Sequence, residues 1–235
     1  MTPAHDPSEP PADETSPPLR STHTYRGLAY DRWGSGGRPV LLLHGVLFDR
    51  RLWWPAAAEI AGDCTVIAPD LPGHGETPAR PEDDPGTLAA DLAAVVSGLA
   101  LRRAPVVVGH ATSVHLAHLF AGRYASRAVV AVDELTPAPG DTPEHIVAAM
   151  GGEHVPGVFQ PFAVARRDPA LLRAYRCCWA AGPPPAADLT VLSRPGAGDN
   201  DDDPGDGRVR VYRSRGRFAH LHQVRRFAED LRSLL

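Results

Sequence analysis

Val106-Val107-Val108-Gly109-His110-Ala111-Thr112-Ser113 is the stretch that decides the fold of this chain. Three β-branched residues in succession favour extended backbone, and an apolar run without polar alternation marks a strand buried on both faces. The run stops at Gly109 and gives way to an Ala-rich amphipathic segment at 114–121. A buried strand, a tight turn and a helix start thus follow one another directly.

The same unit recurs on either side. Residues 39–43 are a continuous apolar run ending in His44-Gly45, and 51–61 have helical spacing. Residues 64–68 form the next apolar strand, ending in Pro69-Asp70-Leu71-Pro72-Gly73-His74-Gly75. Residues 87–101 carry Leu88, Leu92, Val95, Val96 and Leu99 at three-to-four spacing, and another buried strand spans 128–133. A single short strand is expected over 25–33, before the glycine turn at 34–37. Short apolar strands alternating with helices predict an α/β fold: a mostly parallel twisted sheet covered by helices on both faces. Residues 189–193 and 209–212 read as the last two strands. Their connection is made of Gly, Asp and Pro and only just reaches the length of about a dozen residues that a parallel crossover requires. The pairing of the last strand is therefore left open. Val224, Phe227, Leu231 and Leu234 place a closing amphipathic helix within 222–235.

Composition narrows the function. At 235 residues and 43% hydrophobic content, the chain can bury the core of an α/β domain without disulfide or metal staples. Net charge is −4 with no basic block, which argues against nucleic-acid or anionic-membrane partners. Every basic residue is Arg, so Schiff-base and lysine-dependent chemistry are excluded. Cys64, Cys177 and Cys178 are odd in number and are expected as small buried residues rather than a disulfide framework, which fits a reducing cytoplasm. Residues 1–22 are rich in Pro, Asp, Glu, Ser and Thr and are expected to be a disordered tail, without the apolar core of a signal peptide.

Three segments together resemble the successive landmarks of the α/β-hydrolase fold superfamily: Val40-Leu41-Leu42-Leu43-His44-Gly45, the 66–75 run ending at Gly73-His74-Gly75, and Val106 to Ser113. The resemblance implies a core at 23–134 and 188–235 and a small helical lid at 135–187, with helices at 142–150 and 169–181. It implies candidate pocket walls at Phe159, Phe162, Tyr175 and Trp179. It also identifies the turn after Val108 with the nucleophile elbow, Gly-x-Ser-x-Gly.

Such a site needs a nucleophile, a base, an acid that orients the base, and an oxyanion hole. At the nucleophile position this chain has Ala111, whose methyl group cannot attack a carbonyl. Ser113 reads as a packing or capping residue at the second glycine position. At the usual histidine position, in Gly216-Arg217-Phe218-Ala219-His220-Leu221, stands Arg217, permanently protonated and unable to act as a base. His220, three residues on, is the alternative base if the alignment shifts by one gap. The acid is sought in Asp199, Asp201, Asp202 and Asp203, which read first as a solvated surface run, or in Asp133 and Glu134 after the 128–133 strand. An acid there can pair with Arg217 instead. The backbone N–H groups of Val46 and Thr112 are the expected oxyanion donors, with His44, Gly45, Leu47 and His110 lining the substrate side.

No cofactor or metal is expected. His115 and His118 lack a third ligand at the right spacing, and the acidic run departs from a calcium loop at Pro204 and Arg210. The expected partner is a small-molecule substrate. Ala111, Ser113, Arg217 and the short 194–208 connection are four departures from the family pattern, more than one exchanged serine accounts for. The first expectation is an enzyme with non-hydrolytic lyase, cyclase or isomerase chemistry on a mostly apolar carbonyl compound, the oxyanion hole retained. The alternatives are an ester or lactone hydrolase whose Ser was replaced, and a non-catalytic ligand-binding protein.

Overall fold

The computed structural model describes residues 20–80, 84–180, 182–196 and 207–235. Among these, eight strands form one sheet: β1 (Ser21–Tyr25), β2 (Leu28–Trp33), β3 (Pro39–Leu43), β4 (Thr65–Pro69), β5 (Val106–His110), β6 (Ala128–Val132), β7 (Leu189–Arg194) and β8 (Val209–Arg213). Their order is β1-β2-β4-β3-β5-β6-β7-β8. The β1–β2 and β2–β4 pairs are antiparallel and all later pairs are parallel.

The helices are α1 (Trp54–Ile60), α2 (Pro85–Gly98), α3 (Val114–Arg123), α4 (Pro143–Met150), α5 (Pro169–Trp179), α6 (Ala219–His222) and α7 (Val224–Arg232). Local chemistry fixes where several of them start. Asp84, Thr142 and Asp168 each accept a hydrogen bond from a first-turn N–H, and each precedes a proline at the first helical position.

Alternation along the buried strands feeds two cores. Leu41, Leu43, Ile67, Val107 and Val129 point to the face covered by α2, α3 and α5. Val40, Leu42, Val66, Val106, Val108 and Val130 point to the face covered by α1 and α7. The α/β architecture is the one expected.

Three local expectations change. The single strand expected over 25–33 is a hairpin. Arg26 and Gly27 both take positive φ, 52° and 81°, which suits a two-residue turn. β1 begins at Ser21, inside the span expected to be a tail, and is exposed along its whole length, so it leaves no hydrophobic pattern to read. Residues 1–19 lie outside the described residues. The last two strands do pair in parallel, from Thr190 opposite Val209 to Arg194 opposite Arg213. The Asp199, Asp201, Asp202 and Asp203 run lies outside the described residues. Cys64 is buried and its thiol is pushed up to about 12 by burial, but Cys177 is exposed and Cys178 half-buried on α5. No described helix is long and apolar enough to cross a membrane.

Candidate functional site

Because β3, β5, β6, β7 and β8 are parallel, their C-terminal ends open onto one edge of the sheet, where such folds place their sites. The turns leaving β3, β5 and β6, with the segment that follows β8, carry the expected residues.

The turn after β5 keeps the strained shape of an elbow. Ala111 has φ 51°, in the left-handed region that a non-glycine residue occupies at a cost of about 1–2 kcal/mol. Gly109 permits it: a Cβ there would lie 2.6 Å from the Ser113 carbonyl oxygen and 2.7 Å from Val114 Cα, so β5 and α3 meet backbone to backbone. Ser113 Oγ donates to the His44 carbonyl at 2.5 Å and makes no side-chain cap on α3, so it ties the elbow to the end of β3 instead. Gly45 packs on the elbow, since a Cβ there would sit 3.3 Å from Ala111 Cβ.

Two buried histidines hold the loop after β3. His44 donates from Nδ1 to the Gly45 carbonyl and accepts the Leu71 N–H at Nε2, both at 3.0 Å. His74 donates from Nδ1 to the Pro72 carbonyl at 3.0 Å and accepts the Leu47 N–H at 3.3 Å, while Leu47 has φ 84°. Burial lowers His44 to about 4 and His74 to about 3, so both are neutral near pH 7. Val46 differs from the expectation. Its N–H does not face open space but donates to Thr112 Oγ1 at 2.8 Å. The family pattern assigns Thr112 a role through its backbone alone. This hydroxyl contact is what sequence reasoning missed, and the only signal was a hydroxyl side chain next to the turn apex.

Asp133, with φ 49°, stands at the end of β6 and is buried. Its carboxylate accepts from the Ser193 N–H at 2.5 Å, Ser193 Oγ at 2.8 Å and the Ala219 N–H at 3.0 Å. Burial nevertheless raises its pKa, and burial also raises that of half-buried Glu134. Arg217 approaches this corner, and its charge acts to lower the Asp133 pKa. Its hydrogen bond, however, runs from Nη1 to the Glu134 carbonyl at 3.1 Å rather than to a carboxylate. The Arg217 main chain is held on both sides, its N–H by the Met150 carbonyl and its carbonyl by His110 Nε2, each at 2.8 Å. The other ring nitrogen of His110, Nδ1, is buried without a partner among the described residues, and burial lowers this histidine to about 4.

His220 does not serve as an alternative base. It is fully buried among Trp53, His110, Phe218 and Phe227, with ring centroids 4.5 Å from Trp53 and 4.9 Å from His110. Its place on α6, turned inward against Trp53 and Phe227, removes it from solvent, and burial holds its pKa well below the ordinary histidine value. Two of the expected pocket walls also fall elsewhere. Phe159 lines an outer groove with Pro55, His222 and Val224, and Phe162 packs on Trp54 with centroids 5.9 Å apart. Trp179, the last residue of α5, is buried in the core, and Tyr175 donates to the Pro72 carbonyl at 2.8 Å. The described residues contain no group of three or more metal-ligating side chains, and His115 Nε2 shares a 2.9 Å hydrogen bond with Thr136 Oγ1. A groove of about 860 Å³ lies between the loop after β4 and α5, walled by Gly73, Arg80, Arg166, Leu171 and others, but not by Ala111. Ala111, Val46 and Thr112 are each 2% exposed, so the elbow is covered.

A model of a family described as alpha/beta hydrolase matches residues 40–233. Among curated proteins, the dihydrolipoyllysine-residue acetyltransferase component of the acetoin cleaving system of Pseudomonas putida is 34% identical over 151 residues, 60% of this chain and 40% of that protein. An uncharacterised protein of Mycobacterium tuberculosis is 31% identical over 118 residues, 48% of this chain and 34% of that protein. The matched stretches thus span well under half the length of these curated relatives. Among solved structures, a thermophilic esterase from Thermogutta terrifontis superposes with TM-score 0.64 at 20% identity, covering 92% of this chain and 97% of that one. A variant of AqdC, described as recognising and cleaving the ring of the Pseudomonas quinolone signal, superposes with TM-score 0.66 at 19% identity, covering 92% and 98%. At these identities the likeness is one of fold.

Proposed function

This chain belongs to the alpha/beta hydrolase family, and we propose that it is a non-hydrolytic member that binds a small carbonyl-bearing molecule without forming an acyl-enzyme. The observation that carries the reading is Ala111. The apex keeps a left-handed φ of 51° although its side chain has no atom that can react. A methyl group gains nothing from the strain, whereas a surface shaped to receive a bound group accounts for it. The reading takes the triad to be degenerate at two places. Removing the nucleophile of such a triad costs about a millionfold in rate, and Arg217 cannot take the proton that a base must take. Asp133 is then left as a structural acceptor that ties β6 to β7 and α6. The segment at 135–187 acts in this reading as a lid, held to the loops beneath it by the Arg166 N–H on the Leu47 carbonyl and by Tyr175 on Pro72.

The full-length chain, incubated with a panel of aryl esters, medium-chain lactones and their acids, is expected to retain ligand of unchanged mass in native mass spectrometry. Its ester turnover is expected not to exceed the background. Hydrolysis of an aryl ester by the unaltered protein would sink the proposal.

A second reading rests on His110. Its Nδ1 is a buried lone pair without a partner among the described residues, beside Gly45 and the elbow. That nitrogen can accept a proton from a bound ligand, as lyase, cyclase or isomerase chemistry requires. Its low pKa makes it a weak base, so binding without turnover is placed first. A rearranged product in the same incubations, lost in His110→Asn, would reverse that order.

A further inference from the structure

Thr112 is the residue in the site whose chemistry the fold does not require, and the role assigned to it rests on the reading of the elbow as a carbonyl-binding site. Val46 lies on the loop after β3 and Thr112 on the turn after β5, so the 2.8 Å bond between them spans the two sides of the expected hole. Both residues are buried. A buried N–H must find an acceptor, and here the acceptor is a side chain rather than water or ligand. The neighbouring hydroxyl has a different task, because Ser113 Oγ is committed to the His44 carbonyl. The Thr112 hydroxyl can also donate, yet no acceptor for its proton occurs among the described residues. One hydrogen bond therefore holds it in place, and rotation about χ1 releases it.

We propose that Thr112 Oγ1 is a built-in occupant of the ligand-oxygen position. In the resting protein it satisfies Val46, and a ligand binds only by displacing it. This sets a threshold of acceptor strength that a ligand must exceed to bind. An ester carbonyl offers Val46 little more than the hydroxyl it replaces, so the exchange is close to neutral. A carboxylate forms a charge-assisted hydrogen bond of roughly twice the strength and wins the exchange. Arg217, whose main chain is tied to His110 and whose charge acts on that ring, contributes positive potential that favours an anion. The ligand class assigned is a small carboxylate on an apolar tail, the kind of molecule an ordinary relative of this fold would release rather than consume.

The test uses the full chain labelled for amide NMR, with Thr112→Val, which keeps the shape and removes the hydroxyl, and Thr112→Ser, which restores it. Octanoate and methyl octanoate are the probes. Without ligand, the Val46 amide proton is expected to move upfield in T112V and to stay at its wild-type position in T112S. In the wild type, octanoate is expected to displace the Val46 resonance and to bind at least tenfold more tightly than methyl octanoate. In T112V both probes are expected to bind more tightly by a similar factor, because neither has a hydroxyl to displace, while the preference for the acid persists. An unchanged Val46 resonance in T112V, or equal binding of acid and ester by the wild type, would overturn the proposal. If the Val46 resonance responds to T112V but neither probe binds any variant, the occupant stands and the carbonyl-binding reading of the elbow falls instead.

Discussion

At the scale of single residues, Ala111, Arg217 and Asp133, read in the proposal as the nucleophile, base and alternative acid positions, each make a separable prediction. Ala111→Ser alone supplies an oxygen but no base, because the Arg217 guanidinium stays protonated. Combining it with Arg217→His places an imidazole on a main chain already fixed by Met150 and His110, near Asp133. The double variant is expected to hydrolyse p-nitrophenyl acetate about 100-fold faster than Ala111→Ser, the lower end of what a positioned base contributes. Equal rates for the single and double variants would show that position 217 does not face the elbow. Asp133→Ala asks a different question. It strips the acceptor from two N–H groups and a hydroxyl at once, each costing about 1–3 kcal/mol when left unpaired in the interior. A loss of about 3 kcal/mol or more is expected in urea unfolding. A loss under about 1 kcal/mol would mean that water replaces the carboxylate.

At the scale of elements, the β5–α3 junction decides the site, and it is the junction most legible in the sequence. The valine run, Gly109 and the helical spacing after Ser113 all specify one local structure, so strand, turn and helix fall where expected. The β1–β2 hairpin and the parallel β7–β8 pair are not legible, for opposite reasons. β1 has no buried face, and a connection without periodicity cannot state which strand it leads to. Within the site, the residues are legible by position, but their hydrogen bonds are not. Nothing in the letters Thr112 or Ser193 says that one hydroxyl accepts from Val46 and the other donates to Asp133. The junction itself yields a paired prediction. Gly109→Ala drives a Cβ into backbone atoms at 2.6 and 2.7 Å that cannot yield without parting β5 from α3. A loss of about 3 kcal/mol is expected, the upper range for overpacking. Gly122→Ala, on α3 with open space around its Cβ, is expected to gain about 0.5–1 kcal/mol from helix propensity. Chemical denaturation of the two variants separates a steric junction from a merely flexible one, since a mild effect at Gly109 would deny the close packing.

At the scale of the whole molecule, the site edge is an acid-sensitive seam. His44, His74 and His110 are buried and neutral, with folded pKa values of about 4, 3 and 4, against about 6.5 in the unfolded chain. The cause in each case is burial, and for His44 and His74 protonation of Nε2 also removes the acceptor of a buried backbone N–H. A depressed folded pKa means that the unfolded chain takes up protons first as pH falls. The stability these three neutral rings contribute is complete above about pH 6.5 and is lost progressively below it, down through the folded values. About one pH unit below that point, each group accounts for about 1.4 kcal/mol, or roughly 4 kcal/mol for the three. Asp133 works in the other direction, because its raised pKa lets the folded state regain stability on protonation. Urea midpoints measured at about pH 7.5 and 5.5 are expected to fall steeply on acidification. His74→Gln, which can keep an acceptor for the Leu47 N–H without a titrating ring, is expected to show a shallower fall. A flat midpoint between the two pH values would mean that these rings stay hydrated in the folded protein, and with it the covered elbow would have to be given up.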